Sequence, residues 1–169
     1  MTHFIHPRES TDLAIKAVHL LQQARAVMAN QMPIIRNLND DPAVLAELLG
    51  KLSFIGATPY YVFQCRPAVG NKAYTVPIEQ AYDIIEQAKA RVSGPAKRVR
   101  FVISHSSGKI EVVGKTHDSI YFKYHRAARD EDSGRFMAFK RNPKAFWFDD
   151  YDEVIEHPVN LPYRSYGPE

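Results

Sequence analysis

"FVISHSSGKIEV", residues 101–112, is where the sequence changes rhythm. An apolar run ends in a polar turn of His105, Ser106, Ser107 and Gly108, and Lys109 leads into a second apolar run. Two apolar runs around a short glycine-ended turn predict a β-hairpin. Lys109 then has two readings. It is a solvated charge after a turn glycine, the commoner arrangement, or an amine held for Schiff-base chemistry with a cofactor.

Upstream of this stretch, strands alternate with helices. "HFI" (3–5) reads as the end of a strand. Ser10 or Thr11 caps a helix whose apolar side carries Leu13, Ala14, Ala17, Val18, Leu21, Ala24 and Met28. "MPIIR" (32–36) reads as a strand, followed by Asn39 and Asp40 as caps, Pro42 in a first turn and a helix through Val44, Leu45, Leu48, Leu49 and Leu52. "PYYVFQC" (59–65) is a third strand. Pro77 opens a helix with Ile78, Tyr82, Ile85 and Val92, which stops at "SGP" (93–95). This order predicts βα units and a parallel sheet, part of a barrel or of a doubly wound fold. Three parallel strands alone leave bare edges, so residues 1–96 read as half of something.

Downstream, "RVRFVIS", "KIEVVGK", "SIYFKYH", "RFMAFK" and "AFWFDDY" are five strand-like runs joined by turns. They predict an antiparallel meander over residues 97–156. Its aromatic residues (Tyr121, Phe122, Tyr124, Phe136, Phe139, Phe146, Trp147, Phe148) read first as core and alternatively as the surface of a homo-oligomer. "ARDEDSG" (128–134) reads as a solvated loop, and the proline-containing tail, 157–169, as an irregular strap.

Composition narrows the classes of function. The 169 residues are enough for one ordinary domain, with 45% apolar and 24% charged residues, typical of a globular chain. No run approaches the ~18 apolar residues of a spanning helix, so no membrane role is expected. The first ten residues lack the pattern of a signal peptide, and a single cysteine, Cys65, fits a reducing cytoplasm. Net charge is +3, but the basic residues are scattered. The densest run, "KRVR" (97–100), enters a strand, where a positive rim is the simpler reading than nucleic-acid binding.

Few constellations carry chemistry by themselves. His3, His6 and Glu9 have metal-ligand character only in a helix, and Pro7 argues against one. Asn30 and Gln31 precede a strand, and Arg36, Asn39 and Asp40 follow it. Gln64, Cys65 and Arg66 leave the third strand at the end where βα proteins keep their ligands. Neither a nucleophilic triad nor a phosphate-binding glycine loop can be assembled.

Taken in order, "HFIHPRE" (3–9), "NQMPIIRNLND" (30–40), "PYYVFQC" (59–65), Ser93-Gly94 and the Gly108-Lys109 turn resemble the second half of the lysine 2,3-aminomutase family. The resemblance covers roughly residues 3–115. It implies a partial (β/α) barrel of the radical S-adenosylmethionine (SAM) type, followed by the meander. It also implies migration of an amino group between neighbouring carbons of an amino acid, with SAM, a [4Fe-4S] cluster and pyridoxal phosphate (PLP) as cofactors. Lys109 matches the family's PLP lysine, and His3 and Gln31 match positions lining the SAM pocket.

Departures from the family pattern are equally informative. The family's cluster needs Cys-x-x-x-Cys-x-x-Cys, which this chain lacks. The expectation is therefore a C-terminal part that acts with a first half, in the same polypeptide or on a separate chain, and is inactive alone. The alternative is a noncatalytic relic or binding module with a residual PLP or nucleotide pocket. Lysine-specific members carry an aspartate after Gln-Cys and another before the glycine turn; here Arg66 and, allowing a gap, Ser104 stand there. A cation in place of an acid opposes a lysine substrate and favours an acidic or neutral amino acid. Asp41 replaces a zinc cysteine of some members, so no structural zinc is implied.

Overall fold

One sheet takes up all six strands in chain order. The computed structural model describes residues 1–155, so the tail read as a strap lies outside the described residues. Its elements are α1 (Asp12–Gln23), β1 (Ala29–Pro33), α2 (Pro42–Phe54), β2 (Thr58–Phe63), α3 (Ile78–Ala90), β3 (Arg100–His105), β4 (Gly108–Lys115), β5 (Ser119–Ala127) and β6 (Phe136–Lys140). β1, β2 and β3 pair in parallel; β3 through β6 pair antiparallel. β3, the apolar half of the opening stretch, thus serves both patterns and fuses them into one open α/β sheet.

Helices on one face explain the burial. In α2, Asp41 Oδ1 accepts hydrogen bonds from the backbone N–H groups of Ala43 (2.7 Å) and Val44 (3.2 Å), and Pro42 occupies the first turn. Leu45, Leu48, Leu49 and Leu52 recur at helical spacing and are fully buried against Val62, Phe101 and Ile103 of the sheet. Each such leucine contributes about 2 kcal/mol of transfer free energy, an upper figure for a chain whose unfolded state is partly collapsed. α3 buries Ile78, Ala81, Ile84, Ile85 and Ala88 in the same core.

Several local expectations are corrected. The cap of α2 is Asp41, because Asp40 is used one step earlier, accepting from Asn37 N–H. β1 begins at Ala29, three residues before the expected strand. Residues 3–5 form no strand; a lone parallel bridge joins Thr2 to Asn30, whose buried side chain binds the Phe4 N–H and C=O. α1 starts at the Thr11 cap, but Ile15, Val18 and Gln22 form its docked side. Leu13, Leu21 and Ala24 point outward, because Gln22 Nε2 anchors the helix to the Ile55 carbonyl and rotates the expected stripe away.

"AFWFDDY" is not a strand. Asp150 Oδ2 accepts from the N–H groups of Phe146 (2.8 Å) and Trp147 (3.0 Å), closing a 3-10 turn over Phe148–Asp150. Phe148 then meets Phe122 and Phe139 edge-on at 5.3 and 5.6 Å between ring centroids. These rings belong to the core, whereas Phe136 stacks on Tyr121 and stays 57% exposed. "ARDEDSG" is a charged turn in which Asp132 accepts from Arg129 and Arg135.

Candidate functional site

The sheet face away from the helices holds the residues that the sequence singled out. Residues paired across a ladder share a face, so the register Pro33–Phe63–Val102–Glu111 defines one row. Ser104–Lys109–Arg126 forms the next row towards the C-terminal end of β3. Gln31, Tyr61 and Arg100 form a third row at the other end of this face.

Lys109 is half-buried on this face. Its Nζ donates to Ser104 Oγ at 2.8 Å and sits 4.5 Å from the centre of the Phe63 ring. Arg66, arriving from the loop after β2, donates through Nη2 to the Ser104 carbonyl (2.9 Å) and reaches Ser104 Oγ (3.4 Å). The structure thus brings Lys109, Ser104 and Arg66 together. Burial pushes the Lys109 amine below the ordinary lysine value of 10.5, and the guanidinium groups of Arg66 and Arg126 push it further the same way. The Ser104 hydroxyl and the Phe63 ring favour the charged form, but burial and the two guanidinium groups outweigh them. A larger share of neutral amine, the form that attacks a carbonyl, follows.

The hairpin that carries Lys109 is braced. Gly108 has φ +138°, and a Cβ there would run into the Arg126 carbonyl and within 2.8 Å of Ala127 Cα. Glycine therefore lets β4 and β5 close up beside the lysine. His105 Nδ1 meets Ser107 Oγ at 2.7 Å, and its Nε2 lies 3.0 Å from an Asp149 oxygen. Tyr124 donates to the same Ser107 Oγ at 2.9 Å. Two elements distant in sequence thereby hold the turn.

His3 and Gln31 meet each other, with their side-chain nitrogens 3.5 Å apart. They lie at β1, three strands from β4 and at the other end of the face, which places Gln31 roughly 20 Å from Lys109 across the sheet. A cavity of about 320 Å³ is lined by Thr2, His3, Phe4 and Glu9. His6 and Glu9 close a capping box instead of facing a metal, and among the described residues no group of three His, Cys, Asp or Glu could hold one. Cys65 Sγ accepts a contact from Asn71 Nδ2 at 3.6 Å.

Sequence reasoning missed Phe63, Arg126, Asp149 and Tyr124. Phe63 was visible as a member of the β2 run. Arg126 needed the β4–β5 register, which a bulge between Lys109 and Ile110 shifts. Asp149 stood in a run that reads as strand.

No family model matches the chain. A protein of Aquifex aeolicus (strain VF5), provisionally named L-lysine 2,3-aminomutase, is 57% identical over 155 residues, 92% of this chain and 41% of its own length. The L-lysine 2,3-aminomutase of Clostridium subterminale is 31% identical over 129 residues, 72% of this chain and 31% of its own length. The glutamate 2,3-aminomutase of Clostridioides difficile (strain 630) is 32% identical over 95 residues, 56% of this chain and 22% of its own length. The chain spans 41% or less of the length of these relatives. Over the segment it shares with them, the chain belongs to the lysine 2,3-aminomutase family.

Proposed function

We propose that this chain is the C-terminal part of a radical SAM, PLP-dependent 2,3-aminomutase-like enzyme acting on an amino acid other than lysine. The observation that carries the reading is the half-buried Lys109 amine, lowered below its ordinary value and flanked by two guanidinium groups. An amine in that state suits an aldehyde cofactor, and nearby cations suit its anionic phosphate, so the residues present fit PLP. Bound there, PLP would supply an imine through which the amino group migrates.

The chain's own residues hold and orient. Ser104 Oγ accepts from Lys109 Nζ and fixes where the amine points. Phe63, on β2, lies beneath the amine and gives it an apolar floor. Arg66, fixed by the Ser104 carbonyl, offers a cation where a substrate carboxylate could bind, which supports an acidic or neutral substrate over lysine. In the same reading His3 and Gln31 line the SAM pocket, and the sheet is the second half of a partial barrel.

A single cysteine does not fit a [4Fe-4S] cluster. In this reading the cluster's ligands belong to a first half outside this chain, on the same polypeptide or a separate one. That same observation favours the second reading, a noncatalytic module that keeps a PLP or nucleotide pocket. A cytoplasmic homo-oligomer completes the proposal. No helix among the described residues is long and apolar enough to cross a membrane.

The test is borohydride trapping of the intact protein incubated with PLP, followed by peptide mass mapping. Label on Lys109, lost in Lys109→Ala, supports the assignment; label elsewhere and none on Lys109 removes it. Arg66→Asp is expected to shift amino-acid preference towards a cationic side chain, and an unchanged substrate profile would remove Arg66 as a selector.

A further inference from the structure

The basic run Lys97-Arg98-Val99-Arg100 has no part in the Lys109 site. Arg98 ends the 3-10 turn Pro95–Arg98 and Arg100 opens β3, at the opposite end of that strand from Ser104. Both arginines line a cavity of about 410 Å³, together with Tyr60, Val27, Met28 and Pro59. It sits where β1, β2 and β3 begin, and no acidic side chain among the described residues lines it.

Three hydrogen-bond donors are left over there. Arg98 makes no hydrogen bond or ion pair among the described residues. Arg100 donates through Nη1 to His125 Nδ1 (2.9 Å), and its Nε stands a loose 3.9 Å from Glu111 Oε1, which leaves Nη2 unused. The Tyr61 hydroxyl donates to the Tyr60 oxygen at 2.8 Å, so the Tyr60 proton is free to donate elsewhere. Of the apolar wall, Met28 is 7% exposed and belongs to the core, whereas Val27 is 96% exposed and packs on nothing in that core. Two guanidinium groups and a phenol beside an apolar wall make a receptor for an anionic head on an apolar body.

We propose that this cavity binds an aryl or alkyl phosphate monoester. Arg98, Arg100 and Tyr60 hold the phosphate oxygens, and Val27, Met28 and Pro59 carry the organic part. A phosphate is favoured over a carboxylate because three donor groups match three terminal oxygens and two guanidinium groups balance its double charge.

Titration calorimetry of the intact protein with phenyl phosphate, benzoate and inorganic phosphate tests this. Phenyl phosphate is expected to bind more tightly than the other two, and Arg98→Gln to weaken it about tenfold or more, the usual loss for a charge-assisted contact. Arg98 is exposed and unpaired, so that variant keeps its fold; circular dichroism verifies it. Lys109→Ala is expected to leave the affinity unchanged, which separates this cavity from the proposed PLP site. Absence of binding, benzoate binding as tightly, equal affinity in Arg98→Gln, or loss in Lys109→Ala would each overturn the proposal.

Discussion

Arg141→Met is expected to destabilise the protein far more than a surface arginine normally would. The reason is Glu79, near the start of α3, whose side chain is 3% exposed. Its Oε2 accepts from Arg141 Nε at 2.7 Å and its Oε1 from the Asn142 backbone N–H at 2.8 Å. Removing the arginine strands a buried carboxylate, a change that costs about 3–5 kcal/mol where no other partner exists. The Asn142 N–H remains, which places the loss near the lower end, about 3 kcal/mol. For a chain of this size, that lowers the melting temperature by about 6–12 °C. Urea denaturation of wild type, Arg141→Met, and the double variant with Glu79→Gln provides the assay. The double variant removes the stranded charge and is expected to recover at least half of the loss. A single-variant cost below about 1 kcal/mol, the range of surface pairs, would refute the reasoning. So would a double variant no more stable than the single one. The pair matters to the site because it fixes the start of the segment that ends in Asp149, the partner of His105.

Gly108→Ala is expected to destabilise by about 1–3 kcal/mol through positive φ and the collision with Arg126, and to slow trapping at Lys109; calorimetry and mass mapping check both. Asn30→Ala removes the hydrogen bonds that tether Phe4, so amide exchange at residues 2–5 is expected to accelerate while the α2 amides keep their protection. Lys109 labelling by PLP should rise with pH and level off below pH 10.5, because the folded-state amine loses its proton earlier than a free lysine. In Arg66→Gln the plateau should move to higher pH; an unmoved profile would show that the guanidinium does not reach the amine.

The alternation of strands and helices before residue 97 was legible because α1 and α2 open on a capping side chain, α3 on a proline, and α2 and α3 carry a leucine or isoleucine stripe of period 3.6. Leu45, Leu48, Leu49 and Leu52 are the plainest case. The meander was legible from period-two alternation in Ile110/Val112 and Ile120/Phe122. What failed was local and has physical causes. Three adjacent aromatics at 146–148 imitate a strand, while one carboxylate, Asp150, folds them into a turn. The stripe on α1 was misplaced by one position because a glutamine side chain, not a leucine, fixes the docking. At the site, Lys109, Ser104 and Arg66 could be named from motif order. The phenylalanine beneath the amine and the arginine across the ladder depend on register, which the bulge conceals.

The turn ahead of Lys109 has a consequence for how stiff the hairpin is. Of its four residues only Gly108 needs to lack a side chain, since only there would a Cβ strike the neighbouring strand. The others are free to be His105, Ser106 and Ser107, and two of these tie the turn to Asp149 and Tyr124. A run of glycines would have kept a large conformational entropy in the unfolded chain and much residual freedom in the folded one. This turn gives up that freedom before any ligand arrives, so the amine is presented by a hairpin that has little left to order on binding.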